Sequence, residues 1–128
     1  MHYQSFNDHA AAIADYFGFA PAVDFITDDG KAFTIPNPGL LDDDQQERWE
    51  DLQVLLEGCD TDADGELLKP YRINGELLKP SYNVRLATAV FGDAGYAAFK
   101  AGGGSGNHVA LEWARMNKEY SDHLAAAE

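Results

Sequence analysis

Cysteine, basic residues and long apolar runs are all scarce in this chain of 128 residues. The single cysteine, Cys59, excludes an intrachain disulfide and gives no sign of an oxidising compartment, which predicts a cytosolic setting. No apolar run approaches the roughly 20 residues that span a bilayer. Residues 1–19 also show no basic leader followed by a continuous apolar stretch. We therefore expect neither export by that route nor insertion into a membrane.

Basic residues number only 9 against 22 acidic residues, and the formal net charge is −13. This excess argues against a nucleic-acid backbone or an anionic membrane surface as partner. Residues 1–66 hold 16 acidic and 2 basic residues, a net charge of −14, whereas residues 67–128 hold 6 acidic and 7 basic residues, a net charge of +1. The acidic half is either a solvated surface or a docking face for a basic partner.

The length and a hydrophobic content of 45% are typical of one domain with a single core, here residues 1–128. Asp8 is a suitable N-cap for a short first helix over residues 9–17, and Gly18 and Pro21 would end it. The expected apolar face of this helix consists of Ile13, Tyr16 and Phe17.

The clearest helix signal lies after Asp42, which is followed three residues later by Gln45 in the capping-box arrangement. We expect this helix to reach Glu57 and to end at Gly58. One apolar stripe recurs at helical spacing and is predicted to be core. It consists of Trp49, Leu52, Leu55 and Leu56.

Two β-hairpins are predicted from turn chemistry. Residues 23–27 and 32–35 are short β-prone runs joined by the turn sequence DDGK, and Asn74-Gly75 would place residues 71–73 opposite residues 76–78. The hexapeptide GELLKP occurs at residues 65–70 and 75–80. Two short copies do not define a repeat architecture, so we interpret them as flanks of a local hairpin.

The remaining sequence is helical in pattern. A helix is expected to open at Pro80-Ser81 and to stop at Gly92, and Asp93 can cap a short helix after it. Residues 102–106 are predicted to be a flexible glycine joint, and Asn107 is expected to cap the last helix. The last helix carries an apolar stripe that is either core or partner interface: Val109, Trp113, Met116, Tyr120 and Leu124. The predicted fold is mainly α, a small helical domain of about four to five helices with one or two short β-hairpins.

Residues 60–65, DTDADG, match the first half of a calcium-binding loop. The second half fails because Tyr71 occupies the twelfth position, where a bidentate Glu should close the coordination shell. We therefore predict an acidic surface loop rather than a specific calcium site. A weakly calcium-regulated interaction module is a lesser alternative.

No motif supports catalysis. The glycine run lacks the Lys-Ser/Thr of a phosphate-binding loop, and Ser105 lacks the frame of a nucleophile elbow. The four histidines are scattered without paired ligand spacing, and the abundant carboxylates lie in polar turns or on helix faces. We predict a non-enzymatic protein with no catalytic residues, no cofactor and no metal.

Four segments of the chain have a recognisable sequence: FTIPNPGLLDDDQQERWEDLQ at residues 33–53, RINGELLKPSYNVRLATAVFG at residues 72–92, YAAFKAGGG at residues 96–104 and LEWARMNKEY at residues 111–120. They resemble segments of tail assembly chaperones of siphophages that infect actinobacteria. Together they cover about half of the chain in the expected order.

The resemblance implies an assembly factor that binds the tape measure protein, keeps it soluble and helps recruit tail tube subunits. It implies a place in the host cytoplasm, absence from the mature virion and no catalytic residues, with self-association as a further option. A tape measure is a long helical protein with exposed apolar stripes, so the expected interface is apolar. Its candidate residues are Trp113, Met116, Tyr120, Val109 and Trp49.

The alternative function is an acidic mimic of nucleic acid that inhibits a basic host protein. In that case the carboxylates of residues 1–66 would stand in for phosphates. Salt sensitivity separates the two hypotheses, because exposed charges are screened within about 8 Å near physiological ionic strength and apolar contacts are not.

Overall fold

The computed structural model describes residues 5–17 and 21–127 and gives a mainly α fold with two small antiparallel hairpins. In chain order the elements are α1 (Phe6–Phe17), β1 (Ala22–Ile26), β2 (Ala32–Pro36), a 3-10 turn (Pro38–Leu40), α2 (Asp43–Glu57), β3 (Arg72–Ile73), β4 (Glu76–Leu77), α3 (Tyr82–Ala101) and α4 (Gly106–Ala127). The predicted fold class is confirmed at this level, with four α-helices in the described part of the chain.

Helix α1 begins one turn earlier than predicted. The hydroxyl of Ser5 accepts a hydrogen bond from the backbone N–H of Asp8 at 3.0 Å, so Ser5 rather than Asp8 caps the helix. Asp8 instead lies in the first turn, where the helix dipole favours a carboxylate. Tyr16, one of the three residues of the expected apolar face, is 79% exposed. The predicted stop at Gly18 lies outside the described residues.

Helix α2 follows its prediction. The carboxylate of Asp42 accepts from the backbone N–H of Gln45 at 2.8 Å, and the Gln45 side chain accepts from the N–H of Asp42 at 2.9 Å. This reciprocal pair satisfies two N–H groups that the first helical turn leaves without partners. Leu52 and Leu56 are buried, which confirms the apolar stripe as core at these two positions.

Strands β1 and β2 form the first predicted hairpin. Their register pairs Val23 with Ile35 and Phe25 with Phe33, and these four residues belong to the core or pack against it. Alternation along the strands turns the Asp24 and Thr34 pair toward solvent, where the hydroxyl donates to the carboxylate at 2.7 Å. The hairpin thus contributes one apolar face.

Strands β3 and β4 form the second predicted hairpin around the turn Asn74-Gly75. Asn74 has φ 52° and Gly75 has φ 83°, the positive pair that a type I′ turn requires. The Asp60 carboxylate accepts from the backbone N–H groups of both turn residues, at 3.1 and 2.7 Å. The loop after α2 is therefore fastened to this hairpin.

Helix α3 breaks at Gly92, where the backbone has φ 77° and ψ 169°, as the sequence predicts. A break leaves the carbonyls of the preceding turn without helical partners. Two side chains of α2 donate hydrogen bonds to these carbonyls. Arg48 Nε donates to the Ala89 carbonyl at 2.8 Å, and Gln45 Nε2 donates to the Val90 carbonyl at 3.0 Å. Helix α2 thus stabilises the bend in α3.

The glycine run is packed, which corrects the prediction of a flexible joint. A Cβ atom on Gly104 would overlap the ring of Phe99, and one on Gly106 would lie 2.7 Å from the backbone of Asn83. Helix α4 begins at Gly106 and not after Asn107. The Asn107 side chain instead accepts a hydrogen bond from the amide of Asn83 at 2.9 Å. These glycines allow α3 and α4 to approach closely.

The core lies where α2, α3, α4 and the first hairpin meet. An aromatic group at its edge joins Phe33, Phe91 and Phe99, with ring centroids 4.9 to 5.6 Å apart. Such offset and edge-to-face contacts add to the stability gained by burial. The buried members of the core are Ile35, Leu52, Leu86, Ala87, Val90, Phe99, Val109, Trp113 and Met116.

Candidate protein-binding groove

The stripe of α4 that was predicted as core or interface lies in the core. Val109 and Met116 are 0% exposed and Trp113 is 8% exposed. Trp49 is half-buried and packs against the same cluster, and the side chain of Tyr120 lies outside the described residues. Buried side chains offer no surface to a partner, so Val109 and Met116 are corrected from interface candidates to core residues.

Trp113 differs from Val109 and Met116 because it also lines a surface groove. This groove, of about 500 Å³, lies between the first half of α3, the first half of α4 and the connector before α3. We name it the α3–α4 groove. It is lined by Lys69, Pro70, Tyr71, Ser81, Tyr82, Asn83, Leu86, Ala110, Trp113, Ala114 and Asn117.

Small side chains on α4 open the groove. Ala110 and Ala114 lie one helical turn apart and so share a face, and both line the groove together with Trp113. On the opposite side, the rings of Tyr71 and Tyr82 meet edge to face with centroids 5.5 Å apart. Trp and Tyr combine a large apolar surface with a polar tip and are enriched where proteins bind one another.

The charge in the groove contrasts with that of the chain. Lys69 is its one charged lining residue, and no carboxylate lines it, although the chain has 22 acidic residues. Within residues 5–17 and 21–127, Lys69 forms no ion pair or hydrogen bond through its ammonium group. The groove therefore combines aromatic and apolar side chains with uncharged polar ones, and within the described residues its single positive charge has no ionic partner.

A second groove, of about 390 Å³, lies between α2 and α3. Its two arginines donate hydrogen bonds to backbone carbonyls. Arg48 donates to the Ala89 carbonyl at 2.8 Å. Arg85 donates to the carbonyls of Lys79 and Pro80, in both cases at 2.9 Å. Asp51 also lines this groove. Because this groove carries both signs of charge and its arginines bond to backbone carbonyls, we interpret it as a structural contact between α2 and α3.

A small cavity of about 150 Å³ lies beside the glycine run, next to Thr27 and His108. His108 Nδ1 is 3.0 Å from both the backbone nitrogen and the hydroxyl of Ser105. The backbone N–H must donate to this nitrogen, so the imidazole caps the start of α4 in the manner of a capping box. Nearby, the Thr27 hydroxyl donates to the carboxylate of Asp29 and lowers the pKa of that exposed group.

Two of the three carboxylates of the incomplete calcium loop accept hydrogen bonds from the backbone. Asp60 accepts from the turn of the second hairpin, and Asp62 accepts from the N–H groups of Asp64 and Glu66 at 2.8 and 3.0 Å. Among the described residues, no cluster of three or more His, Cys, Asp or Glu side chains could hold a metal ion. Tyr71, at the twelfth position, lines the α3–α4 groove.

Because comparison with known proteins gives no match, the α3–α4 groove is the main indication of function in this structure. No family model, curated protein or solved structure matches this chain. Across the described residues, no helix is long and apolar enough to cross a membrane. Of the residues that line the groove, Trp113 was predicted from the sequence as an interface residue, whereas Lys69, Tyr71 and Tyr82 were not. The small residues flanking Trp113 on α4 were the available signal, because such positions leave space beside a large aromatic.

Proposed function

We propose that this protein is a non-enzymatic tail assembly chaperone that binds the apolar stripe of a long helical partner, the tape measure protein. In this role it acts in the host cytoplasm, keeps the partner soluble, helps recruit tail tube subunits and is absent from the mature virion. The observation that carries the proposal is the α3–α4 groove, with its aromatic floor and its lack of carboxylates. The resemblance of four segments to such chaperones supports it.

The distribution of charge fits this role. Most of the described acidic residues are exposed, including those in the first turn of α2, whereas none lines the groove. A bound apolar helix would be shielded in the groove while the acidic remainder keeps the complex dispersed. The apolar contact would supply affinity, and the charges would steer encounter and prevent aggregation.

Co-expression with the tape measure protein tests the proposal through a paired substitution. Ala114→Arg places a long side chain in the groove, and Ala97→Arg makes the same change at an exposed site on α3 outside the groove. We expect the wild type and Ala97→Arg to keep the tape measure protein soluble and to co-purify with it. Ala114→Arg should lose both activities while retaining its thermal unfolding midpoint.

Salt distinguishes the proposal from the acidic-mimic alternative. Apolar binding should survive a rise to roughly half-molar salt, where exposed charges are screened within a few ångströms. A complex that dissociates in salt and tolerates Ala114→Arg would contradict the chaperone proposal. That result would favour a basic partner bound by the acidic half of the chain.

A further inference from the structure

The two copies of GELLKP end in the same Lys-Pro pair but occupy different surroundings. In the first copy, Lys69 and Pro70 line the α3–α4 groove. In the second copy, the carbonyls of Lys79 and Pro80 accept hydrogen bonds from Arg85, and Lys79 lines none of the grooves described above. The chain thus contains two exposed lysines in identical local sequence, of which one faces the groove.

The position of Lys69 affects what the groove can recognise. A partner helix that carries a carboxylate beside its apolar stripe is repelled by the surface of residues 1–66, where the negative charge is concentrated. At Lys69 the same carboxylate meets an ammonium group with no partner among the described residues. Charge complementarity at one point fixes orientation and register more than it adds raw affinity.

We propose that the α3–α4 groove binds an amphipathic helix that places a large apolar side chain against Trp113 and Tyr82 and a carboxylate against Lys69. This inference rests on the proposed function and adds the chemistry of the bound segment. The apolar side chain fills the space above Ala110 and Ala114. The carboxylate selects one segment and one direction among the many apolar stretches of a long helical partner.

The two lysines give a matched experiment. Lys69→Glu and Lys79→Glu change the net charge equally, in the same hexapeptide, at exposed positions. The probe is a set of overlapping synthetic peptides, each about 20 residues long, that covers the tape measure protein, with binding measured by fluorescence anisotropy. We expect Lys69→Glu to weaken binding of the tightest-binding peptide about tenfold or more. Lys79→Glu should weaken binding of the same peptide less than about threefold.

A charge swap adds specificity to the test. Replacing the Glu or Asp of the bound peptide by Lys should restore binding to Lys69→Glu and should weaken binding to the wild type. Equal effects of Lys69→Glu and Lys79→Glu would mean that only overall charge matters, which would overturn the inference. Unchanged affinity for both variants would overturn it as well.

The groove-filling variant separates this inference from the proposed function. If Ala114→Arg abolishes peptide binding and Lys69→Glu has no effect, the groove binds the partner without a carboxylate contact, and only the inference fails. If neither variant weakens binding, or no peptide binds, both proposals fail. A concentration-dependent dimer that Lys69→Glu disrupts in sedimentation would identify a second copy of this chain as occupant and would also overturn the inference.

Discussion

Two apolar side chains on α4 provide a direct test of which face of this helix is core. Met116 is 0% exposed and Leu111 is 71% exposed, and they lie five residues apart in the same helix. Replacing either by Ala cannot weaken the helix through propensity, because Ala is the best helix former. The difference between the two variants therefore measures burial.

The expected magnitudes differ several-fold. A fully buried Met replaced by Ala costs about 2 to 5 kcal/mol, from lost transfer free energy and the cavity left behind. An exposed side chain usually costs within about 0.5 kcal/mol. With a urea dependence of about 1.5 kcal/mol per molar, a loss of about 3 kcal/mol lowers the unfolding midpoint by about 2 M, against at most about 0.3 M for the exposed site.

The assay is urea unfolding followed by circular dichroism at 222 nm. Met116→Leu is the control, because a swap of similar volume should cost less than about 1.5 kcal/mol. Equal midpoints for Met116→Ala and Leu111→Ala would refute the reasoning. The apolar stripe of α4 would then be accessible to solvent and would again be a candidate interface.

Three further predictions concern the contact between α3 and α4, the bonds of Asp60 to the second hairpin, and calcium binding. Gly106→Ala should lower the free energy of unfolding by about 1 to 3 kcal/mol, since its Cβ would lie 2.7 Å from the backbone of Asn83; an unchanged urea midpoint would show that α3 and α4 are farther apart there. Asp60→Ala should cost about 1 to 2 kcal/mol by removing both bonds to the turn at residues 74–75, whereas Asp64→Ala should be nearly neutral. Calorimetric titration with calcium should show no one-to-one site of micromolar affinity, and finding one would contradict the assignment of the Asp60 and Asp62 carboxylates to backbone contacts.

Local signals made a large part of the fold predictable. The capping box at Asp42, the Asn74-Gly75 turn and the stop at Gly92 each depend on residues a few positions apart, and each lies where the sequence predicts. The start of α4 was misplaced because Gly104 and Gly106 are required by contacts with Phe99 and Asn83, which sequence pattern does not encode.

The candidate site was harder to predict because it depends on how elements pack. Helical periodicity places Trp113 and Met116 on one face but does not show that the edge of that face borders a groove. Lys69 and Tyr71 reach the groove from a connector with little regular structure. Only the packing of that connector against α3 and α4 brings them near Trp113.

Tyr71 belongs to two patterns that exclude one another. It stands at the position where a calcium loop beginning at Asp60 would need a Glu, and its ring forms one wall of the α3–α4 groove. A Glu there would supply the missing metal ligand, but it would also bring a carboxylate beside Lys69 and remove the ring that packs on Tyr82. A complete calcium loop and the aromatic wall of the groove therefore compete for this one position.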